Sequence, residues 1–269
     1  MSDITSKDNK IIKLIRQLET KKIRDELSLF VIEGPNLIIE AISEKIQIKT
    51  ILVSEDFIKS EDEASKKLLK YFRGSKTELY SVEEKLFNNV TDTENSQGII
   101  GIVSKKEFKE EALLDKKAFM VVLDKLQDPG NIGTIIRTCQ GAGVSCIAII
   151  KGTGDIYSHK VVRATAGAIF KMPFIFFENE KQAIEKVKKS GMKLLCTTVT
   201  GGKNYFQEDM KVKVALVIGN EGKGASKEFI NAADRLITIP MPGGAESLNA
   251  AVAASIIIYE SVRQKLGNN

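Results

Sequence analysis

Hydrophobic residues recur along the chain in short runs, and the spacing within each run predicts an element of secondary structure. In the N-terminal part, amphipathic helical spacing alternates with short apolar stretches that are typical of strands. Helices are predicted over residues 8–19, 36–43 and 62–73, and strands over residues 30–34, 46–53 and 98–103. This order predicts a small α/β unit.

A second series of elements begins with the apolar strand 119–124. Further strands are predicted at 145–150, 173–177, 193–199, 213–218 and 236–240, and helices at 132–142, 180–190, 226–233 and 247–266. Strands that alternate with helices predict a mostly parallel sheet with helices on both faces. Ligands of such sheets bind beyond the carboxyl ends of the strands. We therefore expect the chemistry in the loops after residues 124, 218 and 240.

The two series predict two domains, which suits a chain of 269 residues. An N-terminal domain is predicted over 1–104 and a C-terminal domain over 118–269. The segment 105–117 is dense in charge and lacks strand signals, so we interpret it as a linker. Hydrophobic residues make up 43% and charged residues 28% of the chain, which is typical of globular proteins.

Charge permits a nucleic-acid partner, and the cysteine content argues against a disulfide-bonded or zinc-binding protein. The net charge of +5 permits a polyanionic partner, and the excess lies in residues 111–269, which carry 21 Lys and Arg against 15 Asp and Glu. The three cysteines form no CxxC pair, which argues against a disulfide framework and a zinc site. The sequence contains no signal-peptide pattern and no long apolar run. We expect a reduced, cytoplasmic protein without a bound metal.

Polar motifs follow three of the predicted strands. They are Asn131-x-Gly133-x-x-x-Arg137, then Gly219-Asn220-Glu221-Gly222-x-Gly224, and finally Ile239-Pro-Met241 with Ser247-Leu248-Asn249. Each has a structural alternative, because Asn131 and Ser247 could cap helices and the glycines could form a plain turn. Arg137 could likewise be a surface group. Glu221 is more informative, since a turn does not need it, and Asn249 is poorly explained inside a predicted helix.

Together and in this order, the three motifs resemble those of the SpoU/TrmH family of the SPOUT methyltransferases. The segment 160–168 resembles the family's stretch between its first two motifs, and residues 22–41 and 96–98 resemble the substrate-binding domain that often precedes it. The resemblance implies a C-terminal SPOUT domain with a deep trefoil knot, preceded by a small α/β RNA-binding domain like ribosomal protein L30e. It also implies a homodimer.

The activity implied by the resemblance is S-adenosylmethionine-dependent methylation of a ribose 2′-oxygen in RNA, with large-subunit (23S) rRNA as the expected substrate. The alternatives are a tRNA methyltransferase and a non-catalytic RNA-binding or ribosome-assembly protein. The implied active-site residues are Asn131, Arg137, Glu221, Ser247 and Asn249. The implied cofactor contacts are Gly219, Asn220, Gly222, Ile239, Met241 and Leu248.

Basic residues outside these motifs are candidate RNA contacts. They are Lys10, Lys13, Arg16, Lys21, Lys22 and Arg24 near the N-terminus, together with Lys160 and Arg163. We expect them to contact phosphates, although a solvated helix face is an equally good interpretation of the first six. His159 is the only histidine, and we interpret it as a surface loop residue rather than a general base.

Overall fold

The computed structural model describes residues 1–91, 96–108 and 118–267, and these form two compact units. The first unit contains residues 1–106 and 157–170, and the second contains residues 107–156 and 171–269. Most of the predicted linker 105–117 lies outside the described residues, so the linker stays a prediction.

The first unit is built on a five-stranded mixed sheet. Its elements up to residue 106 are β1 (Ser2–Ile4), α1 (Lys10–Gln17), α2 (Lys21–Leu27), β2 (Leu29–Glu33), α3 (Pro35–Ser43), β3 (Ile48–Ser54), α4 (Glu55–Lys59), α5 (Glu63–Arg73), β4 (Glu78–Val82), α6 (Glu84–Asn88) and β5 (Ile99–Ser104). The strand order is β1-β4-β3-β5-β2, and β5 runs antiparallel to both of its neighbours.

The second unit is built on a seven-stranded sheet. The remaining elements of the chain are β6 (Phe119–Asp124), α7 (Pro129–Gly141), β7 (Cys146–Ile150), α8 (His159–Ala164), β8 (Phe174–Phe177), α9 (Glu180–Lys189), β9 (Lys193–Thr197), β10 (Lys203–Asn204), β11 (Val214–Gly219), α10 (Lys227–Ala232), β12 (Arg235–Thr238) and α11 (Ala250–Leu266). All of these except α8 belong to this unit. The strand order is β10-β12-β9-β11-β6-β7-β8, and every neighbouring pair is parallel.

The predicted α/β class and the parallel sheet are confirmed. Every residue of β6 and β11 is buried, which explains why these strands, apart from Asp124 at the end of β6, are apolar rather than alternating. The pattern missed seven elements, all of them seven residues long or shorter: β1, α2, α4, β4, α6, α8 and β10.

Residues 157–170 lie within the predicted C-terminal domain, but they pack with the N-terminal unit. The ring of Phe30 on β2 lies 5.0 Å from that of Tyr157 and 6.2 Å from that of Phe170. His159 Nε2 lies 3.2 Å from Glu33 Oε2. His159 is thus a partly buried residue of α8, and its interpretation as a surface loop residue is wrong. Aromatic packing and this polar pair, neither visible in the local sequence, place the segment in the first unit.

All three cysteines are buried and free. Burial, together with the nearby charge of Asp124, raises the pKa of the Cys196 thiol to about 12, so this sulfur stays protonated. Among the described residues, no helix has both the length and the apolar character needed to cross a membrane.

Candidate active site

The loops that carry the three motifs all begin at one edge of the seven-stranded sheet. β6 and β11 are paired in register to their last residues, Asp124 and Gly219. β12 lies two strands from β11, with β9 between them. Because all these strands are parallel, their carboxyl ends meet at the same edge, as the sequence predicts.

Glu221 joins the second motif to the first. Its Oε1 accepts hydrogen bonds from the backbone N–H of Asp128 at 3.0 Å and from Asn131 Nδ2 at 3.2 Å, and its Oε2 accepts from the Gln127 N–H at 3.1 Å. Partial burial raises the pKa of the Glu221 carboxyl, but these donors outweigh burial and lower it below its ordinary value. Glu221 therefore holds the start of α7 as an ionised carboxylate.

Asn131 extends this network to the third motif. Its Oδ1 accepts a hydrogen bond from Asn249 Nδ2 at 2.8 Å, and its side chain is buried. The interpretation of Asn131 as a helix cap is wrong, because α7 begins at Pro129 and the capping group is Asp128, whose Oδ1 accepts from the Asn131 N–H at 2.7 Å. The side chain of Asn131 is thereby available to connect Glu221 with Asn249.

The last helix begins at Ala250 rather than at residue 247. Asn249 is its N-cap and accepts hydrogen bonds from the N–H groups of Ala251 and Val252 at 2.9 and 3.3 Å. The alternative in which Ser247 caps the helix is therefore wrong, and the poor helix propensity of Asn249 has a simple explanation, since asparagine favours this position. Ser247 lies in the exposed loop before the helix.

Arg137 is the ninth residue of α7 and lies in its third turn, after the buried Ile135 and Ile136. Its side chain is exposed, and within the described ranges no group forms a hydrogen bond or ion pair with its guanidinium. This arginine therefore presents all five of its donors to an outside partner.

The loop after β11 is folded back on its own strand. A Cβ added to Gly219 would lie 2.0 Å from the backbone nitrogen of Ala225, so only glycine fits there. Asn220 and Gly224 exchange two backbone hydrogen bonds of 2.9 Å. Asn220 Oδ1 also accepts from the Gly222 and Lys223 N–H groups, both at 3.1 Å. The Asn220 side chain thus holds the loop together, and its contact with a cofactor stays a prediction.

The other predicted cofactor residues lie where β12 ends and in the loop that follows. Ile239 and Met241 are partly buried, and Leu248 is 36% exposed. All of residues 242–249 are exposed, so this loop offers a broad surface that ends at Asn249, the partner of Asn131. Their contacts with a cofactor stay predictions.

Two neighbouring loops that do not belong to the predicted site complete this edge of the sheet. Thr153, after β7, accepts from the Lys125 N–H at 3.0 Å and donates to the Leu123 carbonyl at 2.9 Å. After β9, the Thr198 N–H donates to the Ile237 carbonyl at 2.9 Å, and Thr238 Oγ1 donates to the Val199 carbonyl at 3.1 Å. Both loops follow predicted strands, and their strand-end position is the signal that could have identified them.

The predicted RNA contacts all belong to the first unit. The prediction for Arg24 is wrong, because this residue is 5% exposed and its guanidinium donates to the Leu18 carbonyl. The other basic residues near the N-terminus are exposed, as are Lys160 and Arg163 on α8. In the described part of the chain, no cluster of His, Cys, Asp and Glu side chains could hold a metal ion.

Comparisons with known proteins agree with this geometry. A model described as the SpoU rRNA methylase family matches residues 118–259, and a model of an MRM3-like substrate-binding domain matches residues 9–101. The chain is 33% identical to the 23S rRNA (guanosine(2553)-2′-O)-methyltransferase RlmP of Bacillus subtilis, over 96% of this chain and 98% of that protein.

Two solved structures are similar over nearly the whole chain. The AdoMet-bound rRNA methyltransferase of Sinorhizobium meliloti is 34% identical, with a TM-score of 0.83 and 98% of each chain covered. The AdoMet complex of the SpoU methyltransferase AviRb of Streptomyces viridochromogenes is 26% identical, with a TM-score of 0.86, and covers 97% of this chain and 100% of that chain.

Proposed function

Since the chain belongs to the SpoU rRNA methylase family, we propose that it methylates a ribose 2′-oxygen of large-subunit ribosomal RNA, with S-adenosylmethionine as the methyl donor. The observation that carries this proposal is the chain of hydrogen bonds from Glu221 through Asn131 to Asn249, which unites all three motifs. Arg137 lies exposed on the same helix as Asn131. The similarity to RlmP supports ribosomal RNA as the substrate.

The loop after β11 suits a cofactor that is recognised through the backbone. A Cβ added to Gly224 would meet no atom within 4 Å, and one added to Gly222 would meet only Asn220 Oδ1 at 3.9 Å. The backbone there is open to a ligand, so Gly219, Asn220 and Gly222 would hold the adenosine part. Ile239, Met241 and Leu248 would contact it from the third motif. When bound, the cofactor supplies the reactive methyl group.

The protein's own contribution is positioning. Arg137 is unsuited to act as the general base that removes the 2′-hydroxyl proton, because a guanidinium stays protonated in proteins. Arg137 instead binds a phosphate of the target and orients the 2′-hydroxyl. Asn131, Ser247 and Asn249 hold the nucleotide. The 2′-hydroxyl proton is lost late in methyl transfer or is accepted by a water molecule.

Variants of Arg137 test this proposal. Arg137→Ala should lose at least about a hundred-fold in methyl transfer, because the bidentate interaction with a phosphate is removed from the transition state. Arg137→Lys should recover only part of the loss, since lysine keeps the charge without the forked geometry. Full activity of Arg137→Lys would contradict the orienting role.

Mapping 2′-O-methyl groups in RNA from cells lacking the protein would identify the target nucleotide.

We also propose that the protein is a homodimer and carries the family's trefoil knot. α11 supports the dimer, because it presents an exposed apolar face in which Val252 is 48% and Tyr259 is 50% exposed. Burying such a face against a second copy removes apolar surface from water. Sedimentation of Val252→Glu should give a monomer if α11 forms the interface.

The two alternatives make different predictions. A tRNA enzyme of the same family would bind S-adenosylmethionine and methylate tRNA in place of ribosomal RNA. A non-catalytic RNA-binding protein would give no methyl transfer to either, and titration with S-adenosylmethionine would show no binding. We propose further that the protein acts in the cytoplasm and uses no resident metal.

A further inference from the structure

Asp124, the last residue of β6, is a buried carboxylate in an otherwise apolar strand. It is 1% exposed, and the preceding residues 119–123 are all buried hydrophobic residues. A buried charge is costly unless hydrogen bonds compensate it. An apolar residue would suit the strand better, so the carboxylate calls for an explanation outside the sheet.

The carboxylate is bonded to the loop after β11. Asp124 Oδ2 accepts a hydrogen bond from the backbone N–H of Ser226 at 2.6 Å. The other oxygen, Oδ1, is buried and has no hydrogen-bond partner among the described residues, and the same holds for the Ser226 hydroxyl. Asp124 therefore holds Ser226 through its backbone N–H and not through its hydroxyl, so the bond fixes the backbone of the loop at residue 226.

Asp124 and Lys125 hold the two ends of the same loop. At the outgoing end, Asn220 Nδ2 donates to the Lys125 carbonyl at 2.8 Å. At the returning end, the Ser226 N–H donates to Asp124. Between them the chain passes so close to Gly219 that no side chain fits. The shape of the loop thus depends on two adjacent residues of the neighbouring strand end.

We propose that Asp124 is a positioning residue for cofactor binding, which fixes the returning limb of the loop 219–226 through the Ser226 N–H. This inference rests on the proposed function, because that loop is where S-adenosylmethionine would bind. Asp124 does not touch the cofactor; its loss lets the backbone that would face adenosine move.

The test compares Asp124→Ala, Asp124→Asn and Asp234→Ala. Asp234 is the control for losing a carboxylate that accepts a backbone N–H. It is more exposed than Asp124, and its Oδ2 accepts the Leu194 N–H at 2.8 Å at the amino end of β9, away from the loops of the site. Asp124→Asn can still accept the Ser226 N–H. Binding of S-adenosylmethionine is measured by calorimetric titration, and Tm is measured for each variant.

We expect Asp124→Ala to weaken S-adenosylmethionine binding by at least about ten-fold, because losing a hydrogen bond to a buried carboxylate costs enough free energy for a change of that size. Asp124→Asn should bind within about three-fold of the wild type, and Asp234→Ala should bind normally although its Tm falls. In assays, Asp124→Ala should raise the KM for the cofactor while kcat at saturation is largely kept. Binding by Asp124→Ala within two-fold of the wild type would overturn the inference, as would equal weakening in Asp234→Ala.

A second measurement needs no variant. In the free wild-type protein, the Ser226 amide should exchange slowly with solvent, since it is bonded to a buried carboxylate. Rapid exchange would overturn the inference even if Asp124→Ala did not fold. A wild-type protein that fails to bind S-adenosylmethionine would contradict the proposed function and this inference with it, whereas normal binding by both wild type and Asp124→Ala would contradict this inference alone.

Discussion

At the scale of single residues, the polar groups of the three motifs bond mainly to one another and to the backbone. Asn249 caps α11 with its oxygen and reaches Asn131 with its nitrogen, so one side chain serves both the fold and the site. Such double use makes simple alanine substitution hard to interpret, and a substitution that separates the two roles is more informative.

Asn249→Asp separates them. Aspartate caps helices as well as asparagine does, so the free energy of unfolding should stay within about 0.5 kcal/mol of the wild type. It cannot donate to Asn131 Oδ1, so methyl transfer should fall sharply. Asn249→Ala should lose activity and also about 1 kcal/mol of stability. Full activity of the aspartate variant would show that the bond to Asn131 is dispensable.

Gly219 and Gly222 make a matched pair for steric effects. Gly219→Ala would place a Cβ against backbone atoms at 2.0 and 2.2 Å, whereas Gly222→Ala has free space. We expect urea denaturation to show a loss of about 1–3 kcal/mol for the first, as overpacking usually costs, and less than about 0.5 kcal/mol for the second. Equal stabilities would mean that the loop can lie further from β11.

At the scale of elements, the site is a set of loops that hold one another. The loop after β11 fixes the start of α7 through Glu221, and α7 contacts the cap of α11 through Asn131. Displacement of any one loop is therefore expected to disturb the others.

The link through Glu221 depends on pH. Because the folded protein lowers the pKa of this carboxyl below its ordinary value of 4.5, its stabilising effect is fully present above that value and is lost as the pH falls through the lower, folded pKa. Glu221→Gln should therefore be less stable than the wild type at pH 7, by about 1 kcal/mol given its exposure. This difference should disappear in acid.

Chemical denaturation between pH 7 and pH 3 measures the difference. Glu246→Gln is the control, since Glu246 is an exposed carboxylate in the loop before α11 and, within the described residues, has no hydrogen bond. A stability difference for Glu221→Gln that does not change with pH would show that its charge is not involved.

At the scale of the whole molecule, the predicted RNA contacts and the predicted catalytic residues lie in different units. Several cations of α1 and α2 have acidic neighbours: Lys13 lies 3.1 Å from Asp8, and Lys22 lies 3.8 Å from Glu26. Lys160 and Arg163 are exposed, and no acid of the described ranges pairs with them. The α8 pair is therefore better suited to bind phosphate than the cations of α2.

Salt dependence of RNA affinity can distinguish these surfaces. Replacing Lys160 and Arg163 with alanine should reduce the slope of log affinity against log salt by roughly 0.7–0.9 for each phosphate that the protein no longer neutralises. Replacing Lys21 and Lys22, whose charges are balanced by Asp25 and Glu26, should change the slope less. Equal changes in the two double variants would contradict the preference for α8.

The sequence by itself determined the α/β class, the parallel sheet and the position of the three motifs at strand ends. These depend on local periodicity and on the fact that parallel strands end at one edge. Tertiary structure alone decided which polar groups meet, because residues 131, 221 and 249 are distant in sequence and are brought together only by strand order. It also decided that Arg24 is buried, that residues 157–170 join the first unit and that Asp124 holds Ser226. Burial and pairing over such separations depend on how elements pack, which local pattern does not encode.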